Sequence, residues 1–118
     1  MEIDKAIMAF SQSEKVKSGI IWATQTLNII QGLPAGEKTG GEKVINALIN
    51  MIGQEIRLAE TVSGDEGWCG IEPYIEKAVL MINSGVSQEA TIHLSRALSM
   101  VTNIGQQSMT VLKEENLI

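Results

Sequence analysis

Hydrophobic residues recur with a helical period along most of this chain. Within Ile3–Gln31 they return at steps of three and four residues, or at the sum of the two, which makes one stripe of a helix apolar: Ala9, Val16, Ile20, Ala23, Leu27 and Ile30. Gly32 followed by Pro34 predicts the end of this first helix. Ser11 and Glu14 also fit a capping box, which leaves open a break in the helix near Ser11.

A second helix is predicted from Thr39 to about Val62. Thr39 and Glu42 fit a capping box that follows a stretch containing glycine and proline, and Ser63-Gly64 closes the helix. Its central apolar stripe consists of Ile45, Leu48, Ile52, Ile56 and Ala59. Four further apolar residues are expected to widen this stripe to about half of the helix: Val44, Met51, Leu58 and Val62.

The second half of the chain predicts a short helix followed by a long one. The short helix covers Glu72–Asn83, with Pro73 in the first turn, where proline is tolerated, and Ser84-Gly85 after its end. Ser87 is expected to be the N-cap of the long helix, which runs to about Lys113. The predicted core face of the long helix is Ala90, Leu94, Ala97, Leu98, Val101, Ile104 and Leu112.

These elements predict an all-α fold in a single domain over residues 1–118. No segment alternates as a strand would, and short connections favour antiparallel neighbours, so we expect an up-and-down four-helix bundle with a short third helix. Because the third helix cannot match the length of the others, one flank of the bundle is expected to stay open along part of its length. An open flank would favour a partner.

Charged side chains are missing from the middle of every predicted helix. The charge-free stretches are Ser18–Gly36, Val44–Gln54, Ala78–Gln88 and Ala97–Leu112. A helix on the surface of a monomer normally presents a charged stripe to water, whereas the outer positions here carry Ser, Thr, Asn and Gln. The chain is therefore expected to associate, most simply with itself.

Charge and composition exclude several classes of partner. The net charge is −5 and the basic residues are scattered, which argues against nucleic acid and against an anionic membrane surface. No apolar run is long enough to span a membrane, and the acidic N-terminus has no secretory pattern. The single cysteine, Cys69, cannot form an internal disulfide. These features predict a cytoplasmic protein.

Three polar side chains are predicted to be buried and are the candidates for chemistry. Glu55 falls inside the apolar arc of the second helix, and His93 lies on an apolar flank of the fourth helix, with Arg96 one turn further on. A buried carboxylate facing an imidazole or a guanidinium could form an acid–base pair. The other interpretation, which we favour, is a structural ion pair across a helix seam. Whether Glu55 and His93 meet stays open.

No metal, cofactor or catalytic residue is predicted. The chain has no Glu-x-x-His motif, and Glu89 with His93 offers only two ligands. The glycine-rich stretch Gly36–Lys43 lacks the Gly-Lys-Ser/Thr ending of a phosphate loop. Cys69 lies among acidic residues that oppose thiolate formation, so it is expected to be free and unreactive. The chain is predicted not to be an enzyme.

A homodimer is the favoured assembly, with the first and fourth helices supplying most of the interface. Trp22, Ile29 and Ile7 form a second apolar line on the first helix, which packs either against a third helix of the same bundle or against another subunit. Ser99, Asn103 and Gln106 are the candidate interface positions on the fourth helix. The predicted function is that of a non-enzymatic, homo-oligomeric helical bundle acting as a protein-interaction or adaptor module.

Two other functions are weighed beside this one. The first is a chaperone-like protein that binds an amphipathic helix of another protein in an open groove. The short helix, the Ser84-Gly85 turn and the long helix together resemble flagellar-export chaperone bundles, although no residue role follows from that resemblance. The second is a small-molecule sensor or enzyme built around Glu55, His93 and Arg96, which would require an enclosed pocket.

Overall fold

Four antiparallel α-helices form an elongated bundle of 53 × 21 × 18 Å. The computed structural model describes residues 1–118 and contains no strand. Its helices are α1 (Ile3–Gln31), α2 (Ala35–Ser63), α3 (Glu72–Asn83) and α4 (Ser87–Glu114), with a short 3₁₀ turn at Glu66–Trp68. α1 packs between α2 and α4, and α3 packs mainly on α4 and also on α2. The predicted up-and-down four-helix bundle with a short third helix is confirmed.

The first helix is continuous through the possible break near Ser11. Ser13 is buried, and its hydroxyl donates a hydrogen bond of 2.8 Å to the carbonyl of Phe10, so this polar group is satisfied within the helix. The N–H of Gly32 bonds back to the carbonyls of Ile29 and Ile30 and ends the helix as predicted. The predicted stripe is buried throughout: Ala9, Val16, Ile20, Ala23, Leu27 and Ile30.

The second helix begins earlier than predicted. It starts at Ala35, directly after Pro34, and the carbonyl of Pro34 accepts from the N–H groups of Glu37 and Lys38. The prediction of a start at Thr39 was therefore wrong by about one turn. A Cβ at Gly41 would lie 3.1 Å from the Ile30 side chain, so this glycine lets the first turns of α2 approach the end of α1. Packing here outweighs the low helix propensity of glycine.

Ser87 does not cap α4, contrary to the prediction. Val86 occupies the N-cap position, and Ser87 is the first residue of the helix, with its hydroxyl buried. This hydroxyl donates a hydrogen bond to the carboxylate of Glu42 on α2. The Ser87 side chain was expected to accept a hydrogen bond from an N–H group at the start of its own helix. It instead links the beginnings of α2 and α4.

The core is narrower on α2 than the sequence suggested. Ile45, Ile52, Ile56 and Ala59 are buried as predicted, and so is Ile49, which the prediction omitted. The four residues expected to widen the buried stripe are exposed instead: Val44, Met51, Leu58 and Val62. Ile49 and Gly53 are buried on the side of α2 that turns toward α3, because Gly53 lies against Ile75 of that helix. The helix is therefore rotated toward α3, and the opposite edge of its apolar surface faces outward.

Trp68 fills the space that the short third helix leaves on the flank of the bundle. The 3₁₀ turn carrying Trp68 packs on α2 and α4, and the indole is fully buried. Gly67 and Gly70 let this segment approach α4, because a Cβ at either position would lie 3.2 Å from Ile104 or Met100 respectively. Residues 64–71, which were expected to be a solvated connection, therefore cover part of the flank that was expected to stay open.

Candidate functional site

The three polar candidates for chemistry do not form a buried cluster. The Glu55 side chain is 34% exposed, His93 is partly buried and Arg96 is exposed. Glu55 lines a groove between α1 and α2, whereas Arg96 lines a groove with Tyr74 and Met100 between α3 and α4. No hydrogen bond or ion pair joins Glu55 to His93 or Arg96. The prediction that all three are buried was wrong, because each lies beside the core arc of its helix rather than within it.

Glu55 pairs with a basic group across the seam between α1 and α2. Its Oε2 lies 3.0 Å from the Nζ of Lys15, whose side chain is 57% exposed. Gln12 adds longer contacts, with its Nε2 3.5 Å from the carboxylate and 3.4 Å from the Glu55 carbonyl. The hydrogen bond from Lys15 lowers the pKa of Glu55, and partial burial opposes this effect without reversing it. The carboxylate is therefore ionised at neutral pH.

The largest groove is lined mainly by polar side chains of α2 and α3. It lies between α2 and α3, has a volume of about 510 Å³, and is crossed by an ion pair between Arg57 and Glu72. Its walls contain no histidine, cysteine, serine or threonine, and consist of Asn50, Gly53, Gln54, Arg57, Glu72, Ile75, Glu76 and Val79. No group of three or more His, Cys, Asp or Glu side chains is placed so that it could hold a metal ion. Cys69 is a free, exposed thiol.

One outer side of the bundle carries large hydrophobic side chains toward both of its ends, with polar residues between them. We call it the hairpin face, because α1 and α2 form an antiparallel hairpin and both contribute to it. The residues of this face recur along each helix at alternating intervals of four and three positions. The face consists of Met8, Gln12, Lys15, Gly19, Trp22, Thr26 and Ile29 on α1, and of Val44, Leu48, Met51, Glu55, Leu58 and Val62 on α2. Such spacing produces a seam that another helix can pack against.

The large hydrophobic residues of the hairpin face are accessible to solvent. Trp22 is 64% exposed and Ile29 is 69% exposed. Trp22 lines a groove of about 320 Å³ with Leu48 and Met51, and Gly19 also lines this groove. The alternative that Trp22 and Ile29 pack against a third helix of the same bundle is therefore wrong.

The candidate interface residues of α1 and α4 do not share one surface. Ser99, Asn103 and Gln106 are exposed as expected. Ser99 lines the groove between α3 and α4, and Gln106 lines the groove between α1 and α4. Trp22 lies instead in the groove that α1 forms with α2. The structure thus brings Trp22 together with α2 residues that sequence reasoning had assigned to the core.

A signal for the hairpin face was present in the sequence. Trp22 and Ile29 are seven residues apart, and Val44, Met51 and Leu58 repeat the same spacing on α2. A seven-residue repeat of large apolar side chains, set beside a separate complete core stripe, is typical of a second packing surface. The repeat on α2 was merged with the core stripe because both are apolar.

Comparison of the chain with protein-family models, curated proteins and solved structures finds no match. None of the four helices combines the length and the hydropathy needed to cross a membrane.

Proposed function

We propose that this protein is a non-enzymatic, homodimeric helical bundle that acts as a protein-interaction or adaptor module through its hairpin face. The exposed apolar surface of α1 and α2 carries the proposal. Seven of its eight large hydrophobic side chains are between 36% and 69% exposed: Met8, Trp22, Ile29, Val44, Met51, Leu58 and Val62. Contiguous apolar patches of this kind on soluble proteins mark interaction surfaces.

The size of the face suits association with another copy. The seven side chains leave on the order of 700 Å² uncovered, close to the roughly 800 Å² that each partner contributes to a standard interface. Trp22 supplies the large aromatic anchor that the centres of interfaces favour. A two-fold dimer is also the commonest closed assembly of identical chains. The proposal includes a cytoplasmic location, which the single free Cys69 supports.

Light scattering coupled to size exclusion tests this proposal. The wild-type chain should elute with twice its mass of 12.8 kDa at micromolar concentration. Trp22→Glu should elute as a folded monomer, because it places an unpaired carboxylate in the apolar face. Leu80→Glu is the matched control, since Leu80 lies on α3 and is 57% exposed. A wild-type monomer, or equal effects of the two substitutions, would contradict the homodimer.

The same surface also favours a second candidate function. A seam with four- and three-residue spacing fits one amphipathic helix as well as it fits a helical pair. A wild-type monomer whose hairpin face binds such a helix from another protein would act as a chaperone-like binder. The flank beside α3 gives less support to that function, because Trp68 covers part of it.

A further inference from the structure

We propose that the Lys15–Glu55 ion pair sets the orientation of a second copy on the hairpin face, so that α1 of each subunit lies across α2 of its partner. Each Lys15 ammonium would then face Glu55 of the partner subunit, and each Glu55 would face Lys15 of the partner subunit. This inference rests on the homodimer proposed above and specifies its geometry.

Lys15 and Glu55 are the only charged members of the hairpin face. They lie side by side on neighbouring helices, with Nζ and Oε2 3.0 Å apart. Apolar side chains extend toward both ends of the face, with Met8 and Val62 on one side of the pair and Ile29 and Val44 on the other. Any partner that covers this surface must therefore accommodate one positive and one negative charge together.

A second copy meets that requirement in one of its two simple arrangements. If the two-fold axis runs parallel to the helices and between Lys15 and Glu55, each charge lies opposite its counterpart on the other subunit. If the axis instead runs across the helices at the same height, Lys15 opposes Lys15 of the partner subunit, and the two carboxylates oppose each other. Like charges placed opposite each other at an interface are strongly unfavourable. The first arrangement is therefore selected.

The selected arrangement also matches the apolar residues. Because the axis is parallel to the helices, residues at the same height along the bundle face each other across the interface. Trp22 lines one groove with Leu48 and Met51 of its own chain, so these residues lie at the same height. In the dimer, Trp22 would contact Leu48 and Met51 of the partner subunit. A polar group within an apolar seam has the same orienting role in coiled coils.

Charge reversal tests whether the pair lies in the interface. Lys15→Glu and Glu55→Lys should each raise the dimer dissociation constant at least about tenfold, because each variant puts two like charges on its own face. An equimolar mixture of the two variants should form a heterodimer close to wild-type affinity. Both side chains are partly exposed, so each variant should keep its helical content by circular dichroism. Unchanged self-association of both variants would overturn the inference.

Thiol cross-linking tests the orientation itself, in chains that carry Cys69→Ser. A mixture of Ile29→Cys and Val44→Cys chains should cross-link with a short bifunctional thiol reagent, since both positions lie at the same end of the face. A mixture of Ile29→Cys and Met8→Cys chains should form no cross-link between positions 29 and 8, and preferential formation of that cross-link would overturn the orientation. If Trp22→Glu disrupts the dimer but the charge-reversal or the cross-linking test fails, the proposed function stands and only the orientation is wrong. A wild-type monomer removes both proposals.

Discussion

The contribution of the Lys15–Glu55 ion pair to stability depends on how far the two side chains are buried. A buried pair would lose about 1–3 kcal/mol when one partner is removed. The observed pair is in contact with solvent, since its side chains are 57% and 34% exposed, and exposed pairs contribute about 0–1 kcal/mol. The helical wheel placed Glu55 within the apolar arc of α2, and that arc extends beyond the buried surface.

Glu55→Gln is therefore expected to lower the free energy of unfolding by less than about 1 kcal/mol. The measurement is urea denaturation in a Trp22→Glu background, which keeps association out of the result. Because the folded pKa of Glu55 lies below its ordinary value, the stabilisation is present above that value and is lost as the pH falls through the folded pKa. The difference in unfolding free energy between the proteins with Glu55 and with Gln at this position should persist from neutral pH to about pH 5. It should vanish in stronger acid. A difference that grows on acidification would contradict this account.

At the scale of the helices, the sequence predicts the elements whose periodicity and end signals are local. α1 follows from a single periodic stripe and from the Gly32–Pro34 ending. The start of α2 was missed because Gly36, Gly40 and Gly41 resemble a loop, and the packing of Gly41 against Ile30 is a tertiary contact that no local signal indicates. The 3₁₀ turn was missed for a similar reason, since nothing local indicates that Trp68 points into the core.

Close approach of α1 and α4 makes Gly105 sensitive to substitution. A Cβ at this position would lie 2.7 Å from the hydroxyl oxygen of Ser13 and 3.3 Å from its Cβ. Gly105→Ala should therefore lower the free energy of unfolding by about 1–2 kcal/mol, despite the higher helix propensity of alanine. Gly40→Ala is the matched control, because that helical glycine has open space around it and should stabilise the protein by about 0.5–1 kcal/mol. Thermal or urea unfolding of both variants checks the contrast, and equal effects would contradict it.

Trp68 is expected to be essential for the flank beside α3. Trp68→Ala should destabilise the bundle by about 3–5 kcal/mol, because it removes a fully buried large side chain and leaves a cavity. Cys69→Ser is the neighbouring control and should leave stability and assembly unchanged, since this thiol is exposed. Chemical denaturation distinguishes the two. A loss below about 1 kcal/mol for Trp68→Ala would mean that the flank does not depend on this side chain.

At the scale of the whole molecule, charge-free helix centres favour association without indicating which surface associates. The apolar surface of α2 is wider than a core contact needs, and the sequence does not state which edge of it faces inward. In the structure Gly53 lies beside Ile75 of α3, whereas Val44 and Met51 are exposed. The fold class and most of the core could therefore be predicted, whereas the interaction face required the tertiary arrangement.

The placement of the two tryptophans has a spectroscopic consequence. Trp68 is completely enclosed, whereas Trp22 lies largely in solvent at the centre of the hairpin face. Their indole fluorescence therefore reports on different events within one chain. Emission from Trp68 follows the integrity of the fold, and emission from Trp22 follows whatever covers the outer surface of α1 and α2. The natural sequence thus contains separate optical probes for folding and for binding, without any added label.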